Sequence, residues 1–175
     1  ANFYVLYTTG MSDLPMHLPD EISDREDLKY AELYMFLPAD WDVGEDLDSP
    51  QDMPYESYWP IQILKFLARF PHEYKTWLGF GHTMPNGPKY APYCDGVGFG
   101  GIVLDWHGDK MGRVETKDGH DVLLYFVIPA YKEEIEYKLK YGMEGLQERF
   151  REGELPVVLD VHRPNLCADF HEIFD

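Results

Sequence analysis

Residues 31–37 constrain the fold more than any other stretch of the chain. Leu33, Tyr34, Met35, Phe36 and Leu37 follow one another with no polar residue between them. A strand sends successive side chains to opposite faces, so a run that is apolar on both belongs to a strand buried inside a sheet. Pro38 stops it. Residues 2–8, 102–106, 122–128 and 157–161 also read as strands, being short and rich in β-branched and aromatic residues. Residues 112–117 and 120–129 read as a hairpin across Asp118-Gly119, a two-residue turn signal.

Helical spacing predicts a helix over 60–70. Ile63, Phe66, Leu67 and Phe70 share its apolar face, with Gln62, Lys65 and Arg69 opposite. Pro60 is tolerated in a first turn, and Pro71 forbids smooth continuation, so a separate helical turn over 72–78 is expected at an angle. Two further helices are expected over 130–141, faced by Ile135 and Leu139, and over 143–152, faced by Met143, Leu146 and Phe150. Gly142 breaks them apart, and Glu134 to Lys138 reads as an i,i+4 ion pair. Residues 11–27 read as loop with at most one helical turn, 39–58 as an acidic loop, 79–101 as a Gly- and Pro-rich loop, and the end as an acidic tail. Strands and helices interleaved this irregularly predict an α+β fold, a mixed β-sheet flanked by helices. The 175 residues suffice for one domain, spanning 1–175, with a substantial core.

The formal net charge is −17, from 32 Asp and Glu against 15 Lys and Arg. A field of that sign repels phosphate backbones and anionic bilayers, which argues against nucleic acid and membrane as partners and favours a basic protein. Two cysteines, Cys94 and Cys167, make no disulfide framework and point to a cytoplasmic setting. No apolar run approaches the ~18 residues of a membrane span. The sequence opens on Ala1, not Met, and runs straight into an apolar strand, so the natural start is expected further upstream.

Motifs of catalysis fail on inspection. Residues 96–101 match G-x-G-x-x-G, but a strand follows them where a dinucleotide site needs a helix, so a backbone turn requirement is the expectation. His72, Glu73, His82 and Cys94 lack metal spacing, because Thr76 stands where a zinc helix needs its second His. None of the four serines lies in a nucleophile elbow. No catalytic residue, metal or cofactor is expected. The segment 70–83 stands out instead, with aromatics, two histidines and a Gly-x-Gly after the best helix. His72, Glu73, Tyr74, Trp77 and His82 are its candidate protein-binding residues, against packing at a helix-to-loop junction as the plainer explanation.

Several pieces of the chain, in order, resemble the Suppressor of Fused family. They include Thr9 to Asp13 with Pro15-Met16, Tyr30 to Leu33 leading to Leu37 through Trp41, Trp59-Pro60-Ile61 running into Leu67 through Tyr74, Thr76 to Gly79, Gly81-His82-Thr83, and Ile128-Pro129 with Tyr131 to Glu134. The resemblance spans roughly residues 9–150. It implies a non-enzymatic binding domain of the bacterial, single-domain type, one that lacks the family's first strand. It implies in turn an immunity or antitoxin protein that neutralises a basic toxin, or else a regulatory module that captures an extended peptide at a sheet edge.

Overall fold

The structure is a computed structural model that describes residues 2–46, 48, 49 and 52–171. Its elements run β1 (Phe3–Tyr7), β2 (Ala31–Pro38), α1 (Tyr55–Glu73), β3 (Thr83–Pro85), β4 (Gly101–Asp105), α2 (Asp109–Gly112), β5 (Arg113–Glu115), β6 (Asp121–Ala130) and α3 (Lys132–Glu152), with three 3₁₀ turns between β1 and β2. The strands form one mixed sheet in the order β1-β2-β6-β4-β3. Only β2 and β6 run parallel. β5 pairs antiparallel with the start of β6 (Arg113 opposite Leu123), along the edge that β4 occupies further on (Asp105 opposite Phe126). The mixed sheet and its helices bear out the α+β expectation.

Pairing register assigns each side chain to a face. Leu33, Met35 and Leu37 of β2 align with Tyr125 of β6 and with Tyr4 and Leu6 of β1. This first face is covered by α1, through Ile63, Leu64 and Leu67. Tyr34, Phe36 and Phe126 lie on the second face with Val103 and Asp105. There α3 covers the β4 end, where Gln147 donates to Asp105 at 3.1 Å.

Several boundaries differ from the sequence-based expectations. Helix α1 begins five residues early, so Pro60 sits beyond its first turn. Proline has no N–H, so the Glu56 carbonyl four residues back loses its helical donor. The Cys94 thiol faces that carbonyl at 3.9 Å. Pro71 does not end the helix either, which runs on to Glu73 and absorbs the start of the separate turn expected over 72–78. It closes when Thr76 N–H donates to the Pro71 carbonyl at 2.9 Å, across Lys75 in a left-handed conformation (φ 49°). Phe66 and Leu139, expected to face the core, are exposed, while Leu64 is buried.

The hairpin is present, but with a three-residue loop. Thr116 N–H meets the His120 carbonyl at 3.0 Å and Gly119 holds a φ of 83°. That is a type I turn completed by a left-handed glycine. β3 falls in the stretch read as loop, and α2 lies between the strands expected over 102–106 and 112–117, taking Gly112 from the second. Gly142 (φ 78°, ψ 173°) breaks α3 as expected. Residues 157–161 are not a strand: Val158 makes a single parallel bridge to Phe36.

That last segment is held by one ion pair. Glu134 does not reach along its helix to Lys138, because it is buried and bound by Arg163. The guanidinium meets both carboxylate oxygens, at 2.6 and 2.7 Å, with Arg163 4% and Glu134 0% exposed. Arg163 also donates to the Pro129 and Pro164 carbonyls at 2.9 and 3.0 Å. Glu134 accepts Tyr131 N–H at 2.9 Å, capping α3, and Leu166 N–H at 3.0 Å. The rings of Phe99 and Tyr131 lie 5.0 and 5.1 Å from the guanidinium carbon. With both charges paired and hydrogen-bonded, burial is tolerated; with one removed, the other is stranded. Arg163→Met is therefore expected to cost about 3–5 kcal/mol of unfolding free energy. Urea denaturation of both proteins checks this, and a loss below about 1 kcal/mol would show that the pair is not holding the segment.

Candidate protein-binding surface

Alternation along β1 leaves Phe3, Val5 and Tyr7 exposed at 47, 51 and 64%. They project on the second face, beside Phe36 and Tyr34 of β2. Helix α3 lies at the β4 end, and the C-terminal segment meets β2 at Phe36 without lining the space beyond it. An open hollow of about 650 Å³ remains, lined by Val5, Tyr7, Tyr34, Phe36, Val114 and Leu124. On the other side of β1 a groove of about 540 Å³ separates it from α1, lined by Leu6, Leu14, Leu64, Ala68, His72 and Glu73. Among the described residues β1 pairs with β2 alone. Its outer edge is thus a row of backbone donors and acceptors with an apolar hollow on either side.

Polar groups fix the corner of this surface. Glu32 accepts the Thr8 hydroxyl and both the N–H (3.0 Å) and hydroxyl (2.9 Å) of Ser12, tying the turn after β1 to β2. The Thr8 hydroxyl accepts Leu33 N–H at 2.9 Å. The Tyr34 hydroxyl bonds His107 Nδ1 at 2.9 Å, and burial, with Asp105 nearby, raises the phenol above its ordinary pKa.

The five residues singled out in 70–83 do not all meet. His72 and Glu73 end α1 and line the groove beside β1, with His72 Nε2 2.9 Å from the Met11 carbonyl. Tyr74 is exposed and rests on Phe70, ring centroids 4.9 Å apart. Trp77 and His82 meet edge to face at 4.5 Å. His82 Nδ1 accepts Gly79 N–H at 3.1 Å, which leaves the proton on Nε2 and the ring neutral. Val5, Tyr7, Tyr34 and Val114 went unmarked in the sequence. Strand alternation in residues 2–8 was the available signal, but only the pairing partners show which face stays uncovered.

The glycine-rich run needs close approach more than turns. A Cβ on Gly101 would stand 2.4 Å from Ile135 Cδ1, and one on Gly100 2.5 Å from the Tyr90 carbonyl oxygen; of the run only Gly96 has a positive φ. Among the described residues no three His, Cys, Asp or Glu side chains gather as a metal would require. Also among them, no helix is long and apolar enough to cross a membrane.

A family model described as Suppressor of fused protein (SUFU) matches residues 1–164. The chain belongs to the Suppressor of fused family. A relative in Ureaplasma parvum serovar 3, the uncharacterised protein UU111, is 24% identical over 162 residues, covering 93% of this chain and 73% of its own length. Drosophila Suppressor of Fused has the same fold, with a TM-score of 0.62 at 16% identity over 94% of this chain; the chain spans 39% of that protein. A SUFU homologue from Neisseria gonorrhoeae FA 1090 matches with a TM-score of 0.60 at 16% identity, covering 94% of this chain and 70% of that one. The Sufu–Fu complex contains a chain matching with a TM-score of 0.56 at 17% identity, covering 77% of this chain and 57% of that one. That relative has been crystallised in complex with Fu.

Within this SUFU domain, His82 makes a pH prediction. Burial, then the positive charge of Lys138, lowers its pKa below the ordinary histidine value of 6.5. Unfolded chains take up the proton first, so the contribution is present above 6.5 and is lost as pH falls through the folded value. Urea midpoints between pH 7.5 and 5.5 should fall less for His82→Gln than for the wild type. Equal slopes would remove His82 as the cause.

Proposed function

We propose that this SUFU domain binds a partner protein by taking an extended segment of it along the outer edge of β1, which among the described residues carries no further strand. The single observation that carries this reading is the edge itself, flanked by an apolar hollow on each side. Strand addition draws affinity from backbone hydrogen bonds and specificity from pockets that take alternate side chains. An added strand would send one set of side chains toward Tyr34, Val114 and Leu124, and the other toward Leu64, Ala68 and His72. His72 and Glu73 then serve as polar contacts at the groove's end, with Tyr74, Trp77 and His82 further along the same junction. Both cysteines are free and buried, which supports a cytoplasmic setting.

A second reading is favoured by the net charge of −17: an immunity or antitoxin protein whose folded, basic toxin is drawn in by opposite charge. Family membership is compatible with both readings.

Selection from a random peptide library separates them. Strand capture predicts binders with alternating apolar residues that slow amide exchange across Phe3–Tyr7 and are lost in Val5→Lys/Tyr7→Lys. Both side chains are exposed, so that variant should fold. A library with no binders, together with a basic toxin whose lethality this chain suppresses on co-expression, would overturn strand capture and support the immunity reading.

A further inference from the structure

A third depression lies beyond the end of β2, and none of its lining residues belongs to β1. Its walls are the turn after β2, the start of α1, the loop at 94–97 and the C-terminal segment at 158–162, enclosing about 610 Å³. Asp40, Asp42, Glu56, Asp95 and Asp160 all line it, with no Lys or Arg among the lining residues. Among the described residues none of these five carboxylates makes an ion pair. Two accept only local backbone N–H groups: Asp42 from Gly44 at 3.1 Å and Asp160 from His162 at 2.9 Å.

The lining also includes indole rings. Trp41 and Trp59 stand edge to face with centroids 6.0 Å apart, and Trp41 is locked in place by donating to the Ser57 carbonyl at 3.0 Å. Trp59 is 2% exposed, yet its indole N–H has no acceptor among the described residues. A buried donor without a partner is rare in folded proteins and costs free energy. An extended peptide supplies cationic side chains for the acids that line the depression. Arginine suits such a site better than lysine, because its planar guanidinium both forks onto carboxylates and stacks on indole.

We propose that this groove is a second recognition site, which takes an arginine-bearing extended segment of a protein partner, the guanidinium lying against Trp41 among the carboxylates. The proposal rests on the chain being a protein-binding domain, but not on the β1 edge. One partner could engage both sites, in which case linkage would raise its overall affinity.

The probe is the capped peptide Ac-Gly-Arg-Gly-Arg-Gly-NH₂, titrated calorimetrically at physiological salt, with its norleucine counterpart as the uncharged control. The arginine peptide is expected to bind and the norleucine peptide not. Asp40→Asn/Asp160→Asn should weaken it at least tenfold, while Asp20→Asn/Asp24→Asn, with the same charge change on an exposed turn elsewhere, should leave it within twofold. All four positions are exposed, so both variants should keep the wild-type thermal midpoint. Equal weakening in the two double variants would reduce the effect to general charge attraction and overturn the site, as would no measurable binding. Neither result bears on the β1 edge, whose library selection and exchange protection are read separately.

Discussion

The pairing of Arg163 with Glu134 is the interaction on which the second face of the sheet depends. It joins the first turn of α3 to a segment 29 residues further on, and its spare hydrogen bonds reach the end of β6 through the Pro129 carbonyl. Around it three elements that share no regular secondary structure become one unit: the helix start, the strand end and the irregular chain at 155–166. Apolar packing alone positions such a chain loosely, because it has no periodic face. A bidentate guanidinium–carboxylate pair has one geometry, and here it sets where Leu155 and Leu159 come to rest. In turn, the place where that segment stops decides how much of the sheet remains bare.

Most of the sheet could be read from the chain itself, because β2 and β6 are apolar on both faces and no solvent-facing element could be. Helix α3 and its break at Gly142 were equally plain. What could not be read was set by tertiary partners. Pro60 and Pro71 are local helix breakers, but the helix runs past both: the Cys94 thiol faces the Glu56 carbonyl that Pro60 orphans, and the helix closes only beyond Pro71, at the turn through Lys75. Glu134 looked like half of a surface i,i+4 pair, since nothing in its own helix reveals an arginine folding back from far along the chain. Residues 157–161 have strand composition, but make one bridge to Phe36 and no ladder.

The candidate site was legible in the same partial way. The aromatic and histidine-rich junction at 70–83 drew attention by composition, and His72 and Glu73 do border an open groove. Trp77 and His82, by contrast, satisfy each other and the nearby backbone. The more open surface arises from ordinary strand residues, Val5 and Tyr7, whose exposure results from what the rest of the chain leaves uncovered. Binding surfaces of this kind are properties of topology. No single residue type announces them, whereas a catalytic centre needs particular groups at particular distances.

The order of the buried pair along the chain also bears on how the molecule is made. Synthesis delivers Glu134 first, at the start of α3, and the guanidinium that neutralises it only after the whole of α3 has emerged. Until then the carboxylate must stay hydrated, which holds the start of α3 away from the sheet and keeps the second face open. Closure of that face is therefore a late event, triggered by the arrival of one side chain, and the nascent chain passes through an interval in which its sheet is covered on one side only.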